Sequence, residues 1–267
     1  MLIARLITAV ILAGGITTVI LFSPTSLVGW VIGLFWLGGV WEWAGLAQLQ
    51  GAPRVFYTVT VAIFMLLLAF GGGEQSWVFP ITSIAIGWWM LSLIILLTLS
   101  QRRIPLLLVG AAGPMVLIPS WFLLIHFHQD FIQGAELIMS LFLIVWAADV
   151  GAYLVGNCCG KVQLAPRVSP GKTWEGFIGG IVLAALVALG ASTVLNFPRV
   201  TFIAIGIATA LSSVVGDLTV SLFKRNVNVK DTGRLLPGHG GILDRIDSLV
   251  AATPIFALGL CVSGLIV

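Results

Sequence analysis

Long runs of apolar residues, each close to the length of a membrane span, alternate with short polar segments along the whole chain. A helix needs about 20 apolar residues to cross the hydrocarbon core of a bilayer. Nine runs fit this description, at residues 2–22, 27–47, 55–70, 77–99, 106–125, 135–155, 177–197, 201–222 and 249–267. The third run is short, and the fifth is interrupted by Pro114 and Pro119. The pattern predicts an all-α, polytopic integral membrane protein with about nine transmembrane helices.

The composition agrees with this prediction. Only 9% of the residues are charged and the mean hydropathy is +1.13, whereas soluble domains average about 25% charged residues. We expect the first run to be retained as an anchor, because it is long for a signal peptide and no clear small-residue cleavage site precedes Ser23. The three cysteines, Cys158, Cys159 and Cys261, imply no disulfide framework.

Basic residues indicate which side of the membrane each connection faces. With a cytoplasmic N-terminus and nine alternating spans, 12 of the 13 Lys and Arg residues fall on the inner side, and only Arg199 falls outside. So one-sided a distribution fixes the orientation, because positively charged loops stay in the cytoplasm. We therefore predict five spans within residues 1–134, followed by a second membrane region at 135–267 with two long cytoplasmic loops, 157–176 and 224–248.

The segment 221–248 concentrates ionisable residues between two apolar helices. Its 28 residues contain five Lys or Arg, three Asp and one His. Such groups are costly near a membrane and are usually kept for a function. Cations can hold phosphates, carboxylates can hold a divalent metal, and the glycines around His239 let the backbone approach a ligand. His239 is a candidate hydrogen-bond donor to phosphate. The alternative is that the cations only set topology or attract anionic lipid.

Acidic residues from three predicted spans are expected at the same membrane face. Asp149 and Asp217 lie near the inner ends of spans six and eight, and Asp244 and Asp247 precede span nine. Asp244 and Asp247 share a helix face if the helix begins there. Because Mg²⁺ prefers one or two carboxylates with phosphates and water, we predict a Mg²⁺ site in which Asp217 and Asp244 bind the ion, with Asp247 and Asp149 in support. The alternatives are acids that complement a helix dipole and, for Asp149, a polar contact between helices.

The segment 169–176 contains a second candidate for phosphate binding. It is not a Walker A loop, because Pro166 occupies the position of that motif's first glycine. Thr173 can cap the next helix, whose free amide groups favour phosphate, and Lys172 adds a mobile positive charge. The alternative is a lysine that only reaches toward the interface. Elsewhere, Glu42 is a candidate support for the site, although its neighbouring tryptophans are typical of an interfacial belt.

These motifs resemble the phosphatidate cytidylyltransferase (CDP-diacylglycerol synthase) family. The family pattern Ser-x-x-Lys-Arg, Lys-Asp, Pro-Gly-His-Gly-Gly and Asp-Arg-x-Asp matches the segment 221–248 in order. The segments 148–153 and 169–176 match two further motifs, and the resemblance extends over residues 146–254. Two positions depart from the pattern: Val150 stands where the family usually has Ser or Thr, and Val220 stands where it usually has Glu.

The resemblance implies a multi-pass enzyme of the bacterial inner membrane, with an active site that faces the cytoplasm. It would make CDP-diacylglycerol and pyrophosphate from CTP and phosphatidate, with Mg²⁺ as cofactor. Membrane lipids and a second copy of the chain, in a homodimer, are the other expected partners, and no nucleic acid is expected. The resemblance implies catalytic roles for Lys224, Arg225, Lys230, Asp231, His239 and Arg245, and substrate-binding roles for Ser169, Lys172, Thr173, Gly240 and Gly241.

Two other functions stay open at this point. A CTP-dependent polyprenol or lipid kinase would need similar chemistry. An ion-coupled transporter, from a different class of protein, could also use buried acids. Transporters typically show internal repeats and binding sites near the membrane midplane, whereas here no repeat is evident and the acids lie near one face.

Overall fold

The computed structural model describes residues 2–71, 77–99, 103–235 and 240–266. Within these ranges the chain forms nine α-helices and two short β-strands. The helices are α1 (Leu2–Phe22), α2 (Thr25–Leu46), α3 (Ala52–Gly71), α4 (Val78–Leu99), α5 (Leu106–Asp130), α6 (Gly134–Cys159), α7 (Trp174–Val194), α8 (Arg199–Asn226) and α9 (Leu243–Val262). The strands are β1 (Gln163–Ala165) and β2 (Ser169–Thr173).

The described helices confirm an all-α polytopic membrane protein. Eight of them, α2 to α9, are long and apolar enough to cross a membrane by length and composition, and α1 contributes the shorter apolar segment Ile11–Phe22. The two uncertain runs are both single helices. The third spans Ala52–Gly71, and the fifth continues through Pro114 and Pro119.

The helices of the C-terminal half extend farther than the apolar runs predicted. α6 continues to Cys159, α8 continues to Asn226, and α9 begins at Leu243. The predicted loops 157–176 and 224–248 therefore shorten to 160–173 and 227–242. An apolar run ends at its first charged residues, but a helix can continue beyond the hydrocarbon core, where water and other loops solvate those charges. Asp217 consequently lies nine residues before the end of α8, about two and a half turns.

A β-hairpin between α6 and α7 was not predicted from the sequence. β1 and β2 pair antiparallel, with Gln163 opposite Thr173 and Ala165 opposite Ser169. Strands of three and five residues are too short to produce a clear alternation of apolar and polar positions. The hairpin matters because its second strand carries Lys172.

The buried centre of the molecule is formed mainly by α5 and α9, while α3 and α7 lie at the periphery. α7 packs closely on α6: a Cβ atom at Gly180 would lie 2.5 Å from the backbone oxygen of Ala148. The opposite face of α7 exposes large apolar residues such as Ile178, Val182 and Leu186. Exposed residues of this kind suit contact with lipid.

Hydrogen bonds confirm that alternate connections meet at the same end of the helices. Asn226, at the end of α8, exchanges two hydrogen bonds with the backbone of Ile104, which precedes α5. The Arg225 side chain reaches the carbonyl of Val168 in the hairpin. At the other end, the His128 ring contacts the Thr25 hydroxyl at 2.9 Å and the Ile20 carbonyl at 3.0 Å. Glu42, near the end of α2, accepts a hydrogen bond from the Thr232 hydroxyl in the loop after α8. The connections after α2, α4, α6 and α8 therefore share one end, here called the polar end.

Candidate active site

A cavity of about 470 Å³ opens at the polar end, between the hairpin and helices α6, α8 and α9. Eleven of the fifteen predicted site residues line it: Asp149, Lys172, Thr173, Asp217, Lys224, Arg225, Lys230, Asp231, Asp244, Arg245 and Asp247. Ser169, Gly240 and Gly241 are not part of its described lining, and His239 lies outside the described residues. The structure thus brings most of the predicted site residues together around one cavity. The individual roles stay predictions.

Lys172 is positioned by the hairpin and by the start of α7. The Thr173 hydroxyl oxygen accepts a hydrogen bond from the Gly176 amide at 3.1 Å, so Thr173 caps α7 as predicted. Glu175 accepts hydrogen bonds from the backbone amides of Lys161 and Val162, which fixes the base of the hairpin. From this support the Lys172 ammonium forms an ion pair with Asp217 on α8.

Asp217 lies where α8 and α9 make close contact. A Cβ atom at Gly216 would collide with the backbone oxygen of Asp247, so only glycine allows this approach. Asp217 also accepts a hydrogen bond from the Ser221 hydroxyl at 3.2 Å. Asp247 is buried, and its Oδ1 accepts the Ser248 amide at 2.9 Å. Asp217, Asp149, Lys224 and Lys172 line the same cavity as Asp247 and interact with it electrostatically.

Asp244 has a different environment from the other acids. Its Oδ1 accepts the buried Lys224 ammonium at 2.9 Å. Its Oδ2 accepts the backbone amides of Thr232 and Gly241, both at 3.0 Å. Asp244 therefore organises the loop before α9 while it neutralises Lys224.

The remaining cations lie on the exposed wall of the cavity. Arg225 donates to the backbone oxygens of Val168 and Val229, each at 3.3 Å, and so links the hairpin to the loop after α8. Lys230, Asp231 and Arg245 are exposed residues of the same wall. Among the described residues, five acidic and five basic side chains line the cavity, so the formal charges of these ten side chains balance.

The carboxylates of the cavity fit a Mg²⁺ ion only when substrate phosphates complete its coordination. Among the described residues, no group of three or more Asp, Glu, His or Cys is arranged to hold a metal by itself. Mg²⁺ does not require such a group, because it usually keeps several waters and takes phosphate oxygens with one or two carboxylates. Asp217 and Asp247 are adjacent across the α8–α9 contact, with Asp149 nearby. Asp244 is the least available of the four, because it already accepts three donors.

A second cavity of about 430 Å³ adjoins the first and is mostly apolar. Its apolar lining comes from α1, α2, α6 and α9, and includes Ala13, Phe35, Val145 and Leu249. Five residues line both cavities: Asp149, Asp244, Arg245, Asp247 and Ser248. Arg245 is the only basic residue of the described lining on the apolar side. The charged cavity and the apolar cavity are thus adjacent, and these five residues form a polar wall between them.

Several residues at the site were not part of the predicted set. Tyr153 and Ser248 line the charged cavity, and Thr232 binds both Asp244 and Glu42. Tyr153 lies within a matched motif, but uncharged residues of a membrane helix give no signal that separates them from packing residues. Glu42 was singled out as a support, and the structure places it against the loop that leads to α9.

The two departures from the family pattern have contrasting environments. Val220 is fully buried in the apolar core, although it lies only three residues after Asp217. Val150 is exposed and lines the apolar cavity beside Asp149. A carboxylate at position 220 would therefore enter the core, whereas a hydroxyl at position 150 would remain accessible.

Comparison with known proteins gives a consistent result. The model of a family described as the cytidylyltransferase family matches residues 3–262. The phosphatidate cytidylyltransferase of Haemophilus influenzae is 36% identical over 282 residues, which cover 96% of this chain and 98% of that protein. The enzyme of that name from Pseudomonas aeruginosa is 38% identical over 239 residues, covering 85% of this chain and 84% of its own. One from Staphylococcus aureus is 46% identical over 131 residues, covering 48% of this chain and 50% of its own.

Proposed function

The chain belongs to the cytidylyltransferase family, and we propose that it makes CDP-diacylglycerol and pyrophosphate from CTP and phosphatidate. The observation that carries this proposal is the shared wall between a charged cavity and an apolar one. A nucleoside triphosphate suits the charged cavity, and the acyl chains of a lipid suit the apolar cavity. Their phosphates would then meet at Asp149, Asp244, Arg245, Asp247 and Ser248.

In this arrangement the lipid phosphate lies next to Arg245, since that residue is the basic group of the described apolar lining. The triphosphate lies toward Lys172, Lys224 and Lys230, on the side of the hairpin and the loop. A phosphate oxygen of phosphatidate attacks the α-phosphorus of CTP, the α–β bridge bond breaks, and the electron pair leaves with pyrophosphate. Fixed cations stabilise the charge that develops on the leaving group.

Lys172 and Lys224 form ion pairs with Asp217 and Asp244. Phosphate oxygens compete with these carboxylates for the ammonium groups, so we expect the lysines to shift toward the triphosphate. The described lining of the cavity has balanced formal charge, so two anionic substrates favour the binding of an additional cation. We propose Mg²⁺, held mainly by Asp217 and Asp247 with Asp149 and Asp244 in support. It would neutralise phosphate oxygens and orient them for displacement.

The polar end of the helices is proposed to face the cytoplasm of a bacterial inner membrane. When nine spans alternate, 12 of the 13 basic residues fall on this side, in connections and at helix ends, and the cytoplasmic side of membrane proteins carries such an excess. CTP would then enter from the cytoplasm, and phosphatidate would enter sideways from the bilayer into the apolar cavity. A homodimer stays a prediction from the family resemblance.

The decisive experiment supplies purified protein with CTP, Mg²⁺ and dioleoyl phosphatidate. The expected products are CDP-dioleoylglycerol and pyrophosphate, in equal amounts. A polyprenol or lipid kinase would instead release CDP and a phosphorylated lipid. Absence of cytidylyl transfer to phosphatidate, with activity on another lipid acceptor, would reject the proposed substrate.

A further inference from the structure

Glu42 on α2 is a buried acid that contacts the loop between α8 and α9, here called the charged loop (residues 227–242). The side chain is only 1% exposed. Its Oε2 accepts the Thr232 hydroxyl at 2.9 Å and the backbone amide of Leu243 at 2.8 Å. Its Oε1 has no hydrogen-bond partner among the described residues. A buried carboxylate is costly, so this position requires an explanation.

The contact with Leu243 shows that α2 supplies a cap for α9. The N-cap position of α9 is Ile242, whose side chain cannot accept a hydrogen bond. The first amides of a helix need acceptors, and an anion there also complements the helix dipole. Glu42 meets both needs at Leu243, one residue before Asp244. The starting point of α9, and with it the position of Asp244, depends on a carboxylate from another helix.

Thr232 extends this connection to the lysine of the active site. Its hydroxyl binds Glu42, while its backbone amide binds Asp244 Oδ2. Asp244 Oδ1 in turn binds Lys224. A continuous chain of hydrogen bonds therefore leads from Glu42 through Thr232 and Asp244 to Lys224.

Two glycines of the charged loop enclose the Glu42 carboxylate. A Cβ atom at Gly233 would collide with Glu42 Oε1, and one at Gly241 would collide with Glu42 Oε2 and the Thr232 hydroxyl. The loop thus wraps the carboxylate with no space for a side chain at either position. This enclosure, unlike a single hydrogen bond, fixes the loop in two directions.

We propose that Glu42 is a positioning residue: it holds the charged loop and the start of α9 so that Asp244 and Lys224 are set for the triphosphate. The proposal rests on the proposed function for its catalytic consequence. Glu42 does not line the charged cavity among the described residues, so it acts through Thr232 and Asp244. Both hydrogen bonds reach a single oxygen, and a glutamine oxygen can accept both, although more weakly than a carboxylate.

The experiment compares Glu42→Ala, Glu42→Gln and Thr232→Val in CTP:phosphatidate assays. Residues that orient metal ligands through hydrogen bonds typically contribute about 10- to 100-fold to activity, and Asp244 is proposed to support the Mg²⁺ site. We expect Glu42→Ala to lower kcat by that order, Glu42→Gln to restore most of the loss, and Glu42→Ala combined with Thr232→Val to be little worse than Glu42→Ala. Tyr57→Phe is the matched control, since it removes a hydroxyl that donates to the Gly110 carbonyl on a different helix pair, and should leave kcat unchanged.

A second measurement does not depend on turnover. Lys230 and Arg234 are exposed residues of the charged loop, so trypsin should cut there faster in Glu42→Ala than in the parent, Glu42→Gln or Tyr57→Phe. Parental loop cleavage and parental kcat in Glu42→Ala would reject the proposal. Loss of kcat in Glu42→Gln with a fully protected loop would also reject it, because charge rather than position would then matter. An inactive parent with the expected cleavage pattern would reject only the proposed function.

Discussion

Lys172, on the second strand of the hairpin, forms an ion pair with Asp217 within α8, which links two segments 45 residues apart. Both side chains are about a quarter exposed, at 26% and 24%. The pair joins a group proposed to bind phosphate to a group proposed to bind metal. Loss of this ion pair should therefore affect both the stability and the activity of the protein.

Replacement of Lys172 by Gln should destabilise the protein, because the partly buried Asp217 carboxylate loses a compensating charge. We expect a loss of about 1–3 kcal/mol, below that of a fully buried pair. The double variant Lys172→Gln with Asp217→Asn should recover most of this stability but no activity. Thermal unfolding and turnover, measured on the same preparations, test this prediction. Recovery of activity in the double variant would show that neither charge participates in the reaction.

The acids should differ in their response to Mg²⁺. Chelation of Mg²⁺ should abolish turnover of the parent. Asp217→Asn should cut turnover by orders of magnitude and raise the Mg²⁺ concentration for half-maximal rate, because its carboxylate is proposed to bind the ion. Asp244→Asn should lower the maximal rate even at saturating Mg²⁺, because it weakens the contact with Lys224. Mg²⁺ titrations of the rate separate the two cases, and parental behaviour of Asp217→Asn would remove that residue from the proposed site.

The apolar cavity predicts a variant that affects only the lipid substrate. Ala13→Trp should fill the space beside Val145 and raise KM for long-chain phosphatidate, with little change in KM for CTP. Gly14→Trp is the matched control, since nothing lies within 4 Å of a Cβ atom at that position. Equal effects of both variants, or an effect on CTP alone, would contradict the assignment of this cavity to acyl chains.

Introducing Glu at position 220, where the family usually has it, should not raise the activity of this protein. The family pattern usually has Glu at this position, three residues after Asp217. Because Val220 is 0% exposed, Val220→Glu should bury a charge at a cost of several kcal/mol and reduce folded yield without any gain in rate. Val150→Thr, at an exposed position, should keep parental stability. Expression and thermal unfolding of both variants check the contrast.

The native cysteines provide a test of membrane orientation. Cys158 and Cys159 are exposed at the polar end of α6, and Cys261 lies near the opposite end of α9. In a Cys261→Ala background, a membrane-impermeant maleimide should label inverted vesicles but not spheroplasts. Labelling of intact spheroplasts would place the polar end outside the cytoplasm, against the distribution of basic residues.

The sequence alone determined the membrane class, the number of helices within the described residues and most members of the site. Apolar runs extend over whole spans, and the burial of charge in a membrane is so costly that Asp149, Asp217 and Lys224 stand out without any structure. The capping role of Thr173 was also predictable, because an N-cap is a local interaction between residues three apart.

Only the tertiary structure decided which contacts each of these residues makes. Asp244 and Asp247 look equivalent in sequence, yet one binds Lys224 and two loop amides while the other lies buried against α8. The contact of Glu42 with Leu243 joins residues 201 positions apart, and Val220 faces the core although Asp217 faces the cavity. Such relationships depend on which helix faces meet, and that outcome follows from packing between distant segments, which no local pattern encodes.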